Sequence, residues 1–291
     1  MYQAGLVLEG GGMRGIYTAG VLDYFLEQGL EFADNYGVSA GAVMLCSYLS
    51  KQKERSLHVY VDYMNDKRYC SLRSLLTTGD LFGAKFCYDE IPNRLVPFDY
   101  KTYDAFSGHA YAVVTNVRTG EPEYLPMKEM HTDIQAVRAS ASMPLVSRTV
   151  KINGEYYLDG GIADAIPLRR SIADGNTKNV VVLTKEVGYR RKPTSAGLLL
   201  RLRYPHRRKM VNRMLHRHEG YNETLAFLAE EEAAGRAFVI RPQKKGEVGR
   251  IEKDPEKLKA LYQEGYKDAK TCYPALLRFL TTPAGTVDEQ K

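Results

Sequence analysis

The chain has 291 residues, 44% of them hydrophobic and 26% charged, with no Trp and a formal net charge of +6. That length carries one or two domains and buries a core without disulfide or metal staples. The composition excludes collagen-like, coiled-coil and wholly disordered chains, and no apolar run approaches the ~18 residues of a membrane span.

The elements begin with a short apolar run, Leu6-Val7-Leu8, ended by Gly10-Gly11-Gly12. Ile16, Ala19, Leu22 and Leu26 then recur at helical spacing, and Gly29 is placed to cap that helix. A brief extended piece reaches Gly37-Val38, and Ala40 to Leu49 is a compact apolar run that predicts a buried helix. Residues 51–106 are rich in Tyr and charge and give little to place. Tyr111 to Val117 predicts a strand. Thr132 to Gln135 is a capping box opening a short helix that stops before Met143-Pro144. Residues 149–158, divided by Asn153-Gly154, carry a hairpin signal, because Asn-Gly supplies the two positive-φ residues of a type I′ turn. Val180 to Leu183 predicts a buried strand, Tyr221 to Ala234 a helix, and Phe238 to Ile240 a strand. Asp254-Pro255 opens a helix with Leu258, Leu261, Tyr262 and Tyr266 on one face, and the tail after Pro283 is expected to fray. Strands alternating with helices predict an α/β sandwich with its sheet covered on both faces.

Cys46, Cys70, Cys87 and Cys272 have no CxxC spacing and no adjacent His cluster, so reduced structural thiols are expected, with no metal site. Met1 to Glu9 lacks a basic start followed by a long apolar stretch, so no signal peptide is expected and the location is read as cytoplasmic.

Three motifs carry chemistry. Gly10-Gly11-Gly12-Met13-Arg14-Gly15 lies between a strand and a helix, where glycines let several N–H groups converge beside a positive helix end. Such a turn binds a phosphate or stabilises an oxyanion. Read literally it is also G-x-G-x-x-G, and Asp34 stands about where a dinucleotide fold wants its acidic residue. Gly37-Val38-Ser39-Ala40-Gly41 is G-x-S-x-G ahead of an apolar helix, the pattern of a serine nucleophile on a sharp strand-to-helix turn. Tyr157-Leu158-Asp159-Gly160-Gly161 ends the hairpin's second strand, and reads either as a simple turn or as an Asp aimed at a site.

In order and spacing these blocks resemble the three signatures of the patatin-like phospholipases, with Ala141-Ser142-Met143-Pro144 similar to that family's Ser/Pro block. The resemblance covers residues 5–172 as the catalytic region. Residues 173–291 form a C-terminal extension, expected to pack on the same core. The fold it implies is a three-layer α/β/α patatin-like sandwich with a Ser–Asp dyad. Ser39 would form an acyl-enzyme with a lipid or other acyl ester, and Asp159 would act as base. The amides of Gly11, Gly12 and Met13 would hold the oxyanion, Arg14 would orient the glycine loop, and no metal or organic cofactor is needed. An unperturbed Asp pKa of ~3.9 makes a poor base at neutral pH, so modest turnover is expected.

Three alternatives fit the same residues. An α/β-hydrolase triad would use Ser39, Asp159 or Asp164, and one of His206, His216 and His218. A dinucleotide-binding protein would make Ser39 incidental. A lipid-binding module would keep the dyad without turnover.

Residues 189–218 hold ten Lys or Arg, no Asp or Glu, and three of the six His, while the rest of the chain carries 31 basic and 35 acidic residues. With Leu198, Leu199, Leu200, Leu202 and Tyr204 interleaved, this segment reads as a peripheral contact with an anionic membrane, on its inner face. A solvated face, or a partner for Glu230-Glu231-Glu232, is the plainer account. No nucleic-acid motif accompanies the charge, and no protein partner is suggested.

Overall fold

The computed structural model describes residues 1–282. Strand β1 (Tyr2–Leu8) sends Leu6 and Leu8 into one apolar cluster and Val7 into another, so it is buried on both faces. The glycine loop passes through a tight turn at Gly12–Gly15 into α1 (Ile16–Glu27). Gly29, at φ +65°, closes α1 with paired bonds from its own amide to the Leu26 carbonyl and from Leu30 to Phe25. Strand β2 (Phe32–Val38) runs parallel to β1, and Ser39 alone separates it from α2 (Ala40–Leu49).

The Tyr-rich stretch folds as α3 (Arg55–Tyr63), α4 (Leu72–Thr78), a wide π-helical segment at Phe86–Leu95 around Pro92, and α5 (Tyr100–Asp104). Then come β3 (His109–Asn116), β4 (Pro122–Pro126), α6 (Met130–Ser140), and the hairpin β5 (Val150–Ile152) and β6 (Glu155–Asp159). Asn153 and Gly154 both have positive φ, as the hairpin signal requires. The start of α6 differs from the capping-box expectation. The helix opens two residues before Thr132: the Met130 amide donates to Asp104 Oδ1 at 3.1 Å, and Asp133 Oδ2 accepts the amides of Lys128 and Glu129, which precede the helix, at 2.8 and 2.9 Å.

The C-terminal part comprises α7 (Leu168–Ala173), β7 (Asn179–Val182), α8 (Gly197–Arg203), α9 (Arg208–Leu215), α10 (Arg217–Ala233), β8 (Ala237–Ile240) and α11 (Pro255–Thr281). The expectation for the tail beyond Pro283 lies outside the described residues.

The sheet runs β5-β6-β3-β2-β1-β7-β8, with β4 added to β3. On one face Leu6, Leu8, Val180 and Val182 meet Ile16, Phe25, Met44 and Tyr262 from α1, α2 and α11. On the other, Val7, Tyr36 and Val181 meet Leu168, Tyr221 and Leu228 from α7 and α10. These are the three layers of an α/β/α sandwich. Helix α11 lies against α1 so closely that a Cβ on Gly20 would strike the Tyr262 carbonyl, and one on Gly265 would strike the Tyr17 carbonyl.

One topological detail sets up the site. Strand β3 pairs with β4 from Tyr111 to Thr115 on one edge. Its other edge is shared: Asp34 to Val38 of β2 pair with His109 to Val113, and Asp159 to Tyr157 of β6 pair with Val114 to Asn116. The last residue of β2 and the last residue of β6 therefore face consecutive residues of one strand. Ser39 follows Val38 directly.

Candidate active site

The glycines around Ser39 are required by contact. A Cβ on Gly37 would lie 2.5 Å from the Ala42 Cα, and one on Gly41 would lie 2.5 Å from the Leu8 carbonyl oxygen. The elbow thus packs its backbone against β1 and its own helix with no room for side chains. Ser39 itself sits at φ 54°, ψ −118°, a strained conformation for a non-glycine residue, of the kind that costs ~1–3 kcal/mol. It is held there. Its N–H donates to Ser140 Oγ at 2.8 Å, and that hydroxyl donates to the Val113 carbonyl at 2.6 Å.

Asp159 is pinned as firmly. Its N–H donates to the Ser142 carbonyl at 2.8 Å, and its carbonyl accepts from Thr115 Oγ1 at 2.9 Å. Its Oδ1 accepts the Gly161 amide at 2.7 Å. Neither Asp159 Oδ2 nor Ser39 Oγ has a hydrogen-bond partner among the described residues, and both residues are buried at the wall of one cavity. Residues 140–142 therefore tie both elements together, Ser140 through its side chain and Ser142 through its carbonyl, while Met143 and Pro144 line the cavity.

The glycine loop stands directly on the elbow, since a Cβ on Gly10 would lie 2.8 Å from Ser39 Cβ. The amides of Gly11 and Gly12 have no acceptor among the described residues. The Met13 amide differs from expectation: it donates to the Arg250 carbonyl at 3.0 Å and is committed to the segment that precedes α11. Gly12, at φ +60°, is the residue that this segment crosses, because a Cβ there would lie 2.6 Å from the same carbonyl. Gly15 abuts Ala40 of α2, and Gly160 backs onto the Val113 carbonyl. Arg14 lines the cavity, its pKa lowered by burial first and by Arg250 next.

The cavity encloses about 670 Å³ and lies beyond the carboxyl ends of the parallel strands β1, β2 and β7. That volume accommodates a lipid-sized or drug-sized ligand. Leu81, Met143, Leu145, Ile162, Leu200 and Met214 give it an apolar wall. His218 lines it too, but Nδ1 faces the Leu215 carbonyl at 3.1 Å and Nε2 lies 3.6 Å from Glu219. His216 is exposed and faces Glu219. Among the described residues, no His contacts Ser39 or Asp159 by a hydrogen bond. Asp164 accepts from Tyr124 at 2.7 Å instead. Asp34, the acidic residue of the dinucleotide reading, pairs with His109 and Asn176 at the opposite end of β2 from Ser39. Of the glutamates at 230–232, Glu231 pairs with Arg236 and Glu232 with Arg241, both outside the basic segment.

A family description, "Patatin-like phospholipase", matches residues 6–172. The chain belongs to the patatin-like phospholipase family. A second description, "Domain of unknown function (DUF6363)", matches residues 207–281. The chain is similar to the uncharacterized protein YjjU of Escherichia coli (strain K12), 30% identical over 246 residues, which covers 82% of this chain and 68% of that protein. It is also similar to the probable lipid hydrolase 463L of Invertebrate iridescent virus 6, 26% identical over 194 residues, covering 61% of this chain and 66% of that one. Among solved structures, VipD from Legionella pneumophila aligns at TM-score 0.48 and 14% identity, over 94% of this chain and 67% of that one. Membership of the patatin-like phospholipases supports lipid-ester hydrolysis in general.

Proposed function

We propose that the protein is a serine lipid-ester hydrolase working through an acyl-Ser39 intermediate, with Asp159 as its only protein base. The observation that carries this reading is the shared edge of β3, which brings the strained Ser39 elbow and the end of β6 to one cavity wall. As Ser39 Oγ bonds to the ester carbonyl carbon, its proton passes to Asp159. The carbonyl oxygen becomes an oxyanion that the free Gly11 and Gly12 amides stabilise, at the N-terminal end of the turn leading into α1. Collapse expels the alcohol, which takes the proton from Asp159. Water then gives a proton to Asp159 and attacks the acyl carbon, and the second collapse returns that proton to Ser39 Oγ as the fatty acid leaves.

The surroundings support a lipid surface as the place of work. Helix α8 turns Leu200 toward the cavity and leaves Leu198, Leu199 and Leu202 exposed beside Arg201 and Arg203. Exposed leucines flanked by arginine suit the interface of an anionic membrane, at ~1 kcal/mol per well-placed charge. Among the described residues no helix is long and apolar enough to cross a membrane. The four thiols are unpaired, which agrees with a cytoplasmic setting.

Hydrolysis of a p-nitrophenyl ester series, acetyl to palmitoyl, by wild type, Ser39→Ala, Asp159→Asn and His218→Ala tests the reading. Loss in Ser39→Ala and Asp159→Asn, with retention in His218→Ala, is the expected result. Activity that survives Asp159→Asn and falls with His218→Ala would transfer the base to His218, which shares the cavity.

A further inference from the structure

The basic segment builds one wall of the active-site cavity. Arg190, Arg191 and Lys192 lie ahead of α8, Arg217 opens α10, and all four line the cavity together with Arg14, Lys185 and Arg250. Against these seven cations the lining includes two carboxylates, Glu9 and Asp159. Glu9 is buried and already engaged: Oε2 accepts the Thr184 amide at 2.8 Å, and Oε1 accepts the Tyr221 hydroxyl at 2.7 Å. Asp159 is the base.

The arginines that form ion pairs, such as Arg118 with Glu155 and Arg170 with Asp174, lie elsewhere. By contrast, four arginine Nε atoms are buried without a hydrogen-bond partner among the described residues, and three of them, those of Arg14, Arg191 and Arg217, belong to this cavity, the fourth being Arg55. A buried donor without a partner is rare in a folded protein and calls for an explanation. Three of them around one cavity call for a shared one.

The guanidinium groups are also held in position. Arg191 exchanges two backbone bonds with the Asn222 side chain, at 2.9 and 3.0 Å, and its guanidinium lies 4.1 Å over the Tyr221 ring. A Cβ built on Gly161 would lie 2.8 Å from Arg217 Nη2 and 3.0 Å from Asp159 Oδ1, so the Arg217 fork lies alongside the base. Burial, and then the charge of Arg191, pull the Arg217 pKa down to about 10. These cations crowd one another, and an anion among them would relieve the crowding.

We propose that Arg191 and Arg217, with Arg14, form an anion subsite that receives a phosphate or carboxylate carried by the substrate close to its scissile ester. The apolar wall takes the acyl chain, so the enzyme selects anionic lipid esters over neutral ones. This inference rests on the Ser39 hydrolase reading for its substrate, but not for the binding of an anion.

The test uses the full chain and substrate pairs matched in acyl group. One pair is monooleoylglycerol against its phosphate monoester, and the other is nitrophenyl octanoate against its ring-carboxylated analogue. Binding of inorganic phosphate is measured in parallel by titration calorimetry at fixed ionic strength. Wild type is expected to favour the anionic member of a pair by ~10-fold or more in kcat/KM, since charge-assisted bonds are the strong ones. Arg191→Gln and Arg217→Gln should each cut that preference by ~10- to 100-fold and abolish the phosphate heat, with Arg217→Lys recovering part of it. Arg94→Gln, exposed and outside the cavity, should leave the preference unchanged. A preference confined to the phosphate pair assigns the subsite to phosphate, and one confined to the carboxylate pair assigns it to carboxylate. Ser39-dependent hydrolysis with equal kcat/KM across both pairs would overturn the subsite and leave the hydrolase reading standing. If the folded protein hydrolyses no ester, the hydrolase reading falls, and the phosphate titration alone decides the subsite: heat lost in the two Gln variants supports it, and no heat in wild type refutes it.

Discussion

Replacing Ser140 by Ala removes one hydroxyl from a fully buried position and changes neither of the groups that do the chemistry. The hydroxyl accepts the Ser39 N–H at 2.8 Å and donates to the Val113 carbonyl at 2.6 Å. Without it the Ser39 amide is left buried and unpaired, a loss of ~1–3 kcal/mol. That loss falls on a residue at φ 54°, whose conformation persists only because its surroundings hold it. If about 2 kcal/mol is felt at the transition state, kcat falls by roughly 30-fold, since ~1.4 kcal/mol is tenfold in rate. KM should change little, because Ser140 does not line the cavity. Steady-state kinetics on a soluble nitrophenyl ester, together with urea unfolding, would measure both parts. Ser140→Thr keeps the hydroxyl and should recover a substantial share of kcat. Full activity in Ser140→Ala at unchanged stability would refute the argument that this hydroxyl holds the elbow.

Three further outcomes follow from particular contacts. Gly10→Ala would bring a methyl within 2.8 Å of Ser39 Cβ and 2.9 Å of the Val38 carbonyl, so activity should fall ~10²-fold or more as the loop donors shift. Gly265→Ala would press on the α1 backbone at Tyr17 and should cost ~1–3 kcal/mol, read as a lower urea midpoint, with kcat unaffected in the folded fraction. Asp23 is buried, and desolvation raises its pKa to about 6 despite bonds from Tyr262 and Glu54. Its folded pKa exceeds its unfolded one, so the folded state binds the extra proton and stability falls as pH rises from ~4 to ~6. Asp23→Asn should flatten that part of the stability–pH curve, which urea midpoints across the interval would reveal.

Local signals in the sequence located what local physics decides. The apolar run Ala40 to Leu49 forms α2 over those residues, and Asn153-Gly154 makes the hairpin because Asn followed by Gly readily adopts the two positive φ angles of its turn. Strand β4 was not legible because Pro122 and Pro126 bound it, and a strand of that kind survives only as an edge on β3. The α-helices between Arg55 and Asp104 are only five to nine residues long, too short for a helical repeat to declare itself over several turns.

At the site, the residue types of the Gly loop, the Ser elbow and the Asp turn stand out in the chain, but their meeting depends on two strands sharing one edge of β3. No pattern in the chain announces that. Ser140 lies one residue ahead of the Ala141-Ser142-Met143-Pro144 block, outside the family signature. Arg191 and Arg217 were hidden inside a run of charge that reads as surface, because exposure and inward aim look the same in a list of arginines. The Met13 amide was lost to Arg250, a contact across more than 200 residues that spacing cannot reveal.

Acylation of Ser39, on which the proposed hydrolysis depends, can be observed directly. Wild type is mixed with a nitrophenyl ester, quenched in acid within the first turnovers, digested and weighed by mass spectrometry. A single acyl adduct on the peptide containing Ser39 is expected, absent from Ser39→Ala, together with a burst of nitrophenol equal to the enzyme present. An adduct on another residue, or undiminished hydrolysis by Ser39→Ala, would contradict that role for Ser39.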